Sequence, residues 1–154
     1  DEDHMLNALD NLGKRHLWQI AIKPGRPMMF GQIGNCVVVG LPGNPVASFV
    51  CTLQYVLPVI YGLTGAKQEP PQGVTVPAGF EITKKKKDRR EFLRGWLETD
   101  QTGATSAIKF DRDGSGLICG LRKATGLIEI PEDVGQIKSG VLVKFVPFSS
   151  FGPG

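Results

Sequence analysis

Two cations in a stiff loop are the first residues of this sequence whose types and spacing favour ligand binding. Lys23 and Arg26 lie three residues apart in Lys-Pro-Gly-Arg-Pro, immediately after a predicted strand. The two prolines fix the backbone, and Gly25 permits a tight turn. Because little conformational freedom is left to lose on binding, the pattern favours an anionic ligand. An ordinary basic turn is the alternative, and the pattern alone leaves both open.

A second candidate is the segment Leu-Pro-Gly-Asn-Pro-Val-Ala-Ser at residues 41–48, which breaks an apolar strand and begins a helix. Asn44 is a good N-cap, and Pro45 suits the first helical position. Backbone N–H groups and the dipole at a helix N-terminus attract anions such as phosphate, and Ser48 adds a hydroxyl. Ligands of open α/β sheets bind at the carboxyl ends of strands, so we expect this loop and the Lys23 loop to face one cleft. A well-capped helix without a ligand is the alternative.

Acidic residues form a third candidate, because the sequence starts with Asp1-Glu2-Asp3-His4. Carboxylate oxygens are ligands that Mg²⁺ prefers. Acids also favour the first turn of a helix, which is the alternative interpretation. His4 and His16 have no partner at metal-ligand or triad spacing, and the sequence has no nucleophile elbow, Walker loop or dinucleotide fingerprint.

The C-terminal half adds two segments, Arg90-Glu91-Phe92-Leu93-Arg94 and Gly114-Ser115-Gly116. Arg94 shares a predicted strand face with Phe92 and Trp96, where its charge needs an acid, an anion or solvent. A surface arginine and a plain turn are the alternatives.

The elements that must position these residues begin with an α/β unit over residues 1–65. Apolar residues at helical spacing before Gly13 predict a first helix. Three strands are predicted, at residues 17–22, 28–30 and 36–41. The last is apolar on both faces, as in a buried strand of an α/β sheet. The helix after Asn44 is expected to run to about Tyr61, with Pro58 bending or tightening its last turns.

The apolar period changes to two after a predicted linker at residues 66–73. Six strands are predicted, at residues 74–82, 91–97, 106–110, 117–121, 126–130 and 141–147. Short strands between Gly, Asp and Pro turns favour a small β-barrel or sandwich. We therefore predict an α/β unit at residues 1–65, a small all-β barrel or sandwich at residues 74–147 and a tail at residues 148–154.

Composition narrows the function classes. The net charge is only +3, much of it in Lys84–Lys87 with Arg89 and Arg90, whereas nucleic-acid-binding proteins carry a broader basic excess. A solvated loop is the favoured interpretation of the lysine run, and attraction of an anionic ligand is the alternative. The longest apolar run is expected to be too short to span a bilayer, and no signal segment is recognised. Three widely spaced cysteines indicate buried reduced thiols and a cytoplasmic location.

Taken together, these segments resemble one family. The sequence Ile20-Ala-Ile-Lys-Pro-Gly-Arg-Pro27, then Phe30-Gly31, then Gly40-Leu-Pro-Gly-Asn-Pro-Val46 is similar to the molybdopterin molybdotransferases, which include bacterial MoeA and the E domain of gephyrin. The C-terminal half agrees through Arg90-Glu91-Phe92-x-Arg94 and Gly114-Ser115-Gly116, in the expected order. The resemblance covers residues 1–147, and the two N-terminal loops are its most specific part.

The resemblance implies an enzyme of molybdenum cofactor biosynthesis. Such enzymes insert molybdenum from molybdate into adenylylated molybdopterin, with Mg²⁺ and release of AMP. The implied fold is part of a molybdopterin-binding, MogA-like α/β domain followed by a β-barrel-like C-terminal domain. The implied partners are an anionic pterin substrate and a second copy in a homodimer, with neither nucleic acid nor membrane.

The resemblance also assigns site residues. Asp3 and Lys23 take catalytic positions, and Asp3 with upstream acids would hold Mg²⁺. The substrate-binding positions are Arg26, Pro42, Gly43, Asn44, Pro45, Ser48, Arg94 and Ser115.

Two departures and two alternatives accompany this assignment. Gln19 stands where many members have lysine, and His4 replaces a tyrosine. The first strands of the α/β domain would precede Asp1, so we expect little transferase activity from this chain alone. A non-catalytic scaffold or peptide-binding module on the same fold is one alternative, favoured by the missing charge at Gln19. A molybdopterin adenylyltransferase-like enzyme is the other, although such enzymes do not need the C-terminal β domain.

Overall fold

The computed structural model describes residues 4–67, 69–111 and 119–152, which form a mixed α/β structure with two β-sheets. Helix α1 (His4–Leu12) precedes a three-stranded antiparallel sheet with the order β1-β3-β4. Its strands are β1 (Lys14–Trp18), β3 (Met29–Ile33) and β4 (Cys36–Gly40). The predicted first helix is present, and Leu9 is its buried residue. Leu9 packs so closely on Gly31 that a Cβ there would lie 2.4 Å from Leu9 Cδ2.

The strand predicted at residues 17–22 is divided by a turn. Gln19 has a φ of 65°, its N–H donates to the Met28 carbonyl, and the Ile20 N–H donates to the Arg26 carbonyl, both at 3.0 Å. Strand β1 therefore ends at Trp18. The next two residues in extended pairing, β2 (Ile22–Lys23), leave this sheet and join the second one.

Strand β4 is less buried than its apolar sequence predicts. Its residues 37–40 are half-buried and Cys36 is exposed. Strand β4 pairs only with β3 among the described residues, so it is an edge strand there. The prediction that all cysteines are buried is therefore wrong for Cys36.

A continuous helical segment follows the Leu-Pro-Gly-Asn-Pro loop. It consists of α2 (Pro45–Cys51), a π-helical stretch at Thr52–Val56 and α3 (Leu57–Thr64), and Gly65 ends it with a φ of 70°. The Leu57 N–H donates to Thr52 five residues earlier, immediately before Pro58, which has no N–H to donate. Pro58 is thus preceded by a widened turn, and the expected bending or tightening of the last turns stays a prediction.

The segment Pro45–Thr64 is also longer and more apolar than the sequence analysis allowed. It has twenty residues, and an 18-residue window within it reaches a mean hydropathy of 1.7, which by length and composition is enough to cross a membrane. Only 28% of that window is buried. Its first half nevertheless packs in the core, where Val50 and Cys51 are fully buried.

The second sheet contains six strands in the order β2-β6-β8-β9-β5, with β7 beside β6. They are β5 (Val74–Pro77), β6 (Arg90–Thr99), β7 (Thr105–Lys109), β8 (Gly126–Ile130) and β9 (Leu142–Pro147), together with β2. An isolated bridge between Ala78 and Ala107 brings the β5 end toward β7. No strand pairing closes the sheet within the described residues, so the predicted barrel is not closed there.

One predicted strand of this half is a helix over its described part. Residues 119–121 belong to α4 (Cys119–Lys123) instead of the strand predicted at 117–121. The helical turn lays the Gly120 backbone against β6, where a Cβ would lie 2.5 Å from Arg94 Nη1 and 2.9 Å from the Phe110 ring.

The core that supports the loops draws on both halves of the chain. Ile22, Met28, Val50 and Cys51 pack in one cluster with Phe92, Leu127, Val146 and Phe151. Phe151 lies in a 3₁₀ turn (Phe148–Phe151) and is 2% exposed, although the sequence analysis had placed it in a tail. A second cluster fills the interior of the six-stranded sheet.

Candidate active site

A cavity of 450 Å³, here called the cationic cavity, lies where β2 runs beside β6. Its walls are the loop after β2, the loop before α2, strand β6 and the end of β7. Five predicted site residues line it: Lys23, Arg26, Pro42, Asn44 and Arg94. The two loops that the sequence analysis singled out therefore share one cavity with the arginine of the C-terminal half.

The other predicted residues of the second loop do not line this cavity. Gly43 and Pro45 are exposed, and the Ser48 hydroxyl donates a hydrogen bond to the Pro42 carbonyl. Ser48 thus holds the loop from within. Asp3 and Ser115 lie outside the described residues.

The Lys-Pro-Gly-Arg-Pro loop is held by close packing against the helical segment. Gly25 has a φ of 120°, and a Cβ there would lie 2.5 Å from Cys51 Sγ and 2.9 Å from Ile22 Cδ1. The Cys51 thiol donates to the Gly25 carbonyl at 3.7 Å. On the other side, β2 pairs in parallel with β6, so that Lys23 lies opposite Glu91. The Lys23–Pro24 peptide bond is cis.

The N-terminus of α2 differs from the predicted anion site. Asn44 Oδ1 accepts hydrogen bonds from the N–H groups of Val46 at 3.1 Å and Ala47 at 3.3 Å. The Asn44 carbonyl accepts from the Ser48 N–H at 2.9 Å. Such a cap contributes about 1 kcal/mol to helix stability. Because it occupies the N–H groups expected to bind an anion, side chains must supply the main donors of the cavity.

Those side chains give the cavity a strong positive charge. Five cations line it, namely Lys23, Arg26, Arg89, Arg94 and Lys109, and no carboxylate is among the described residues that do. Glu91 lies next to this wall, 5% exposed, with its carboxylate 3.4 Å from Lys23 Nζ and 3.9 Å from Arg89 Nε. A buried acid therefore holds two of the cations without entering the cavity.

Arg94 is the most constrained of the five. It is 8% exposed, and its guanidinium carbon lies 5.0 Å from the centre of the Phe110 ring. The Gly120 backbone packs beside Nη1 of the Arg94 guanidinium. A planar guanidinium held by an aromatic ring keeps its donors in a fixed fork, which matches the oxygens of phosphate or a similar oxyanion.

Sequence reasoning missed Lys109 and Phe110 and treated Arg89 only as part of a basic run. Lys109 lies opposite Gly95 in the β6–β7 pair, next to Arg94 along β6. The sequence predicts a strand at residues 106–110, but it does not predict that this strand pairs with β6 and so brings Lys109 to the cavity. Gln19 is exposed and does not line the cavity, so the missing lysine there leaves all five cations in place.

The described residues do not form the expected Mg²⁺ site. Across residues 4–67, 69–111 and 119–152, no three His, Cys, Asp or Glu side chains cluster as metal ligands. The residues that the sequence analysis assigned to Mg²⁺ are outside these ranges.

The thiol of Cys51 is predicted to be unreactive in the folded protein. Burial raises its pKa from 9.0 to about 11, because the thiolate would lose its hydration. At pH 8, iodoacetamide followed by peptide mass spectrometry should modify exposed Cys36 and leave Cys51 unmodified until denaturant is added. The free energy of unfolding should also fall between about pH 9 and pH 11, since the unfolded thiol ionises first. Equal labelling of both cysteines in the native state would show that Cys51 is not held as described.

The sequence of this chain is similar to those of known proteins. Residues 75–148 match the family described as MoeA C-terminal region (domain IV). The molybdopterin molybdenumtransferase of Haemophilus influenzae is 33% identical over 150 residues, covering 97% of this chain and 37% of that protein. The enzyme of the same name from Synechocystis is 27% identical over 146 residues, covering 93% and 34%.

A solved structure is similar to this chain as well. The molybdopterin biosynthesis MoeA protein of Pyrococcus horikosii superposes with a TM-score of 0.77 at 28% identity, covering 95% of this chain and 35% of that one. The chain therefore spans about a third of the length of the relatives it matches. Residues 75–148 match the MoeA C-terminal region, and the chain is similar along nearly its whole length to part of the molybdopterin molybdenumtransferases.

Proposed function

We propose that this chain is the C-terminal part of an enzyme that inserts molybdenum from molybdate into adenylylated molybdopterin and releases AMP. The observation that carries the proposal is the cationic cavity, where five cations converge without a carboxylate among its described lining residues. Molybdate and a pyrophosphate-linked pterin are both anionic, so the charge of the cavity complements both. The names of the aligned relatives support the reaction class.

The lining residues suggest a division of roles. Arg94, fixed on Phe110, offers a bidentate fork to two oxygens of a phosphate or of molybdate. Lys23 and Arg26 offer charge from a rigid loop. Ile22, Val46 and Phe92 provide apolar surface for the pterin ring. A cavity of this size with apolar walls and a few polar groups is typical of small-molecule sites.

Several finer features belong to the same proposal and rest on the resemblance. Residues 1–65 would be an α/β unit and residues 74–147 a second domain, joined by a linker at 66–73. Mg²⁺ would be held by Asp3 with acids from elsewhere in a longer protein. That protein would be a cytoplasmic homodimer, and the exposed face of Pro45–Thr64 would be covered within it instead of by lipid. We propose no nucleic-acid partner.

A scaffold on the same fold is the second candidate. The scaffold is supported by exposed apolar side chains, such as Trp18 at 46% and Leu63 at 68% exposure, which offer contact points for a partner. The missing charge at Gln19 does not favour the scaffold, because that residue does not line the cationic cavity. Tight pterin binding without turnover would favour the scaffold.

The test is an AMP-release assay on a protein extended upstream to the length of the Haemophilus relative, with adenylylated molybdopterin, molybdate and Mg²⁺. We expect molybdate-dependent AMP release to fall on the order of 100-fold in Lys23→Ala, because a cation of the cavity is lost. Lys138→Ala, an exposed lysine outside the cavity, is the matched control and should leave the rate unchanged. An unchanged rate in Lys23→Ala would refute the proposal. Equal turnover by residues 1–154 alone would refute only the expectation that this chain has little activity by itself.

A further inference from the structure

The run Lys84–Lys87 is not the uniformly solvated loop that its composition favours. Lys85 is 7% exposed, and its ammonium group donates to three backbone carbonyl oxygens, those of Lys86 at 3.2 Å, Arg89 at 2.7 Å and Pro131 at 2.9 Å. Its backbone N–H also donates to the Gly135 carbonyl at 2.7 Å. One lysine of the run therefore fixes the loop against the segment that follows β8.

Further hydrogen bonds hold the loop at both ends. Ile82 and Ile137 exchange two backbone hydrogen bonds of 2.9 Å before the run. After it, the Arg90 N–H donates to the Ala21 carbonyl at 2.9 Å. The backbone of the run is thus held at both ends and at Lys85, while the side chains of Lys84, Lys86 and Lys87 are exposed.

This loop forms a wall of another cavity, of 320 Å³, here called the lysine-loop cavity. It adjoins the cationic cavity, since three cations line both: Lys23, Arg89 and Lys109. Lys84 and Lys86 line only the lysine-loop cavity, whereas Lys87 lines neither. The wall that separates the proposed pterin site from the lysine run is therefore itself basic.

The charge of this cavity is unbalanced. Six basic and two acidic residues are among those described in its lining. One of the acids, Glu91, already pairs with Lys23 and Arg89. Lys85 is satisfied by carbonyl groups, which leaves Lys84, Lys86 and Lys109 without an acid among the ion pairs of the described residues. Ammonium groups in a concave site attract anions, most strongly those with more than one charge.

We propose that the lysine-loop cavity binds a small, multiply charged oxyanion, held by Lys84 and Lys86 together with the cations shared with the cationic cavity. An inorganic oxyanion such as molybdate and the diphosphate group of a larger ligand share this chemistry. The site is preorganised by Lys85, so little loop entropy is lost on binding. The proposal does not depend on the transferase function, because anion binding is measured without pterin or turnover.

The test is isothermal titration of the 154-residue chain with sodium molybdate and, separately, with inorganic pyrophosphate, at low salt. We expect Lys84→Ala/Lys86→Ala to raise the Kd of the bound anion at least tenfold. The control Lys67→Ala/Lys87→Ala removes the same charge from exposed lysines outside the cavity and should change Kd less than twofold. Thermal unfolding of all variants checks that each is folded.

The outcomes separate the sources and the sites. Tighter binding of molybdate identifies an inorganic oxyanion, and tighter binding of pyrophosphate identifies a diphosphate group; either supports the site. Equal weakening by both double variants shows only general charge attraction and overturns the proposal. Loss of anion binding in Arg94→Ala but not in Lys84→Ala/Lys86→Ala places the anion in the cationic cavity and also overturns it. Displacement of the anion by a short RNA at lower concentration would assign the lysine loop to nucleic acid instead.

Discussion

Replacing Arg94 by alanine is expected to weaken binding of adenylylated molybdopterin about 100-fold. Removal of a buried charged hydrogen-bond partner costs about 3 kcal/mol, which corresponds to that factor in Kd. Arg94→Lys keeps the charge but loses both the fork and the stacking on Phe110. Its Kd should therefore lie between those of the wild type and Arg94→Ala. The measurement is a pterin-fluorescence titration of the upstream-extended protein.

Arg122→Ala is the matched control for this prediction. Arg122 is exposed on α4 and lines neither cavity, so its loss should change Kd less than twofold. Thermal unfolding of each variant separates a binding defect from a folding defect. Equal affinities of Arg94→Lys and the wild type would show that only charge matters and that the fork has no role.

The second large effect is expected at Gly25, where alanine should lower the free energy of unfolding by about 3 kcal/mol. Two costs combine, the backbone strain of a side chain at a φ of 120° and the overlap of its methyl group with Cys51 Sγ and Ile22 Cδ1. Cys51 is fully buried, and side chains in protein cores are closely packed, so its sulfur can move only by displacing neighbours. Urea denaturation followed by circular dichroism measures the change.

Two other glycines separate these costs. Gly34→Ala has a φ of 56° but no atom within 4 Å of the new methyl group, so it should cost only about 1 kcal/mol. Gly43→Ala has neither problem and should stay within about 0.5 kcal/mol of the wild type. In Gly25→Ala/Cys51→Ala, removal of the sulfur should recover part of the loss. If Gly25→Ala costs no more than Gly34→Ala, the packing against Cys51 is not what requires glycine.

Local signals in the sequence predicted the elements that depend on neighbouring residues. The N-cap at Asn44, the proline after it and the apolar run predicted the helix that begins at Pro45. Alternation between turns predicted β8 at residues 126–130 with the observed bounds. Both results follow because hydrogen bonding and side-chain periodicity within a short segment are enough to specify these elements.

The errors arise where distant residues decide the structure. The turn at Gln19 exists because Met28 and Arg26 supply hydrogen-bond acceptors, and no short motif around Gln19 signals it. Helix α4 stands at residues 119–121 of a predicted strand, where its Gly120 lies close to the distant residues Arg94 and Phe110. Membership of the cationic cavity was predictable for Lys23 and Arg94 through the resemblance, but Lys109 enters it only through the β6–β7 register.

The parallel pairing of β2 with β6 has a mechanical consequence. Two residues from the first part of the chain form part of the sheet built by the second part, and Phe151 returns to the core beside Ile22. Rotation of one half against the other would have to break this pairing and expose that core. The cationic cavity should therefore keep its shape without ligand, and access should depend on side-chain rotation instead of hinge opening. A protease cut within residues 66–73 should likewise leave two fragments that stay associated and elute together in gel filtration.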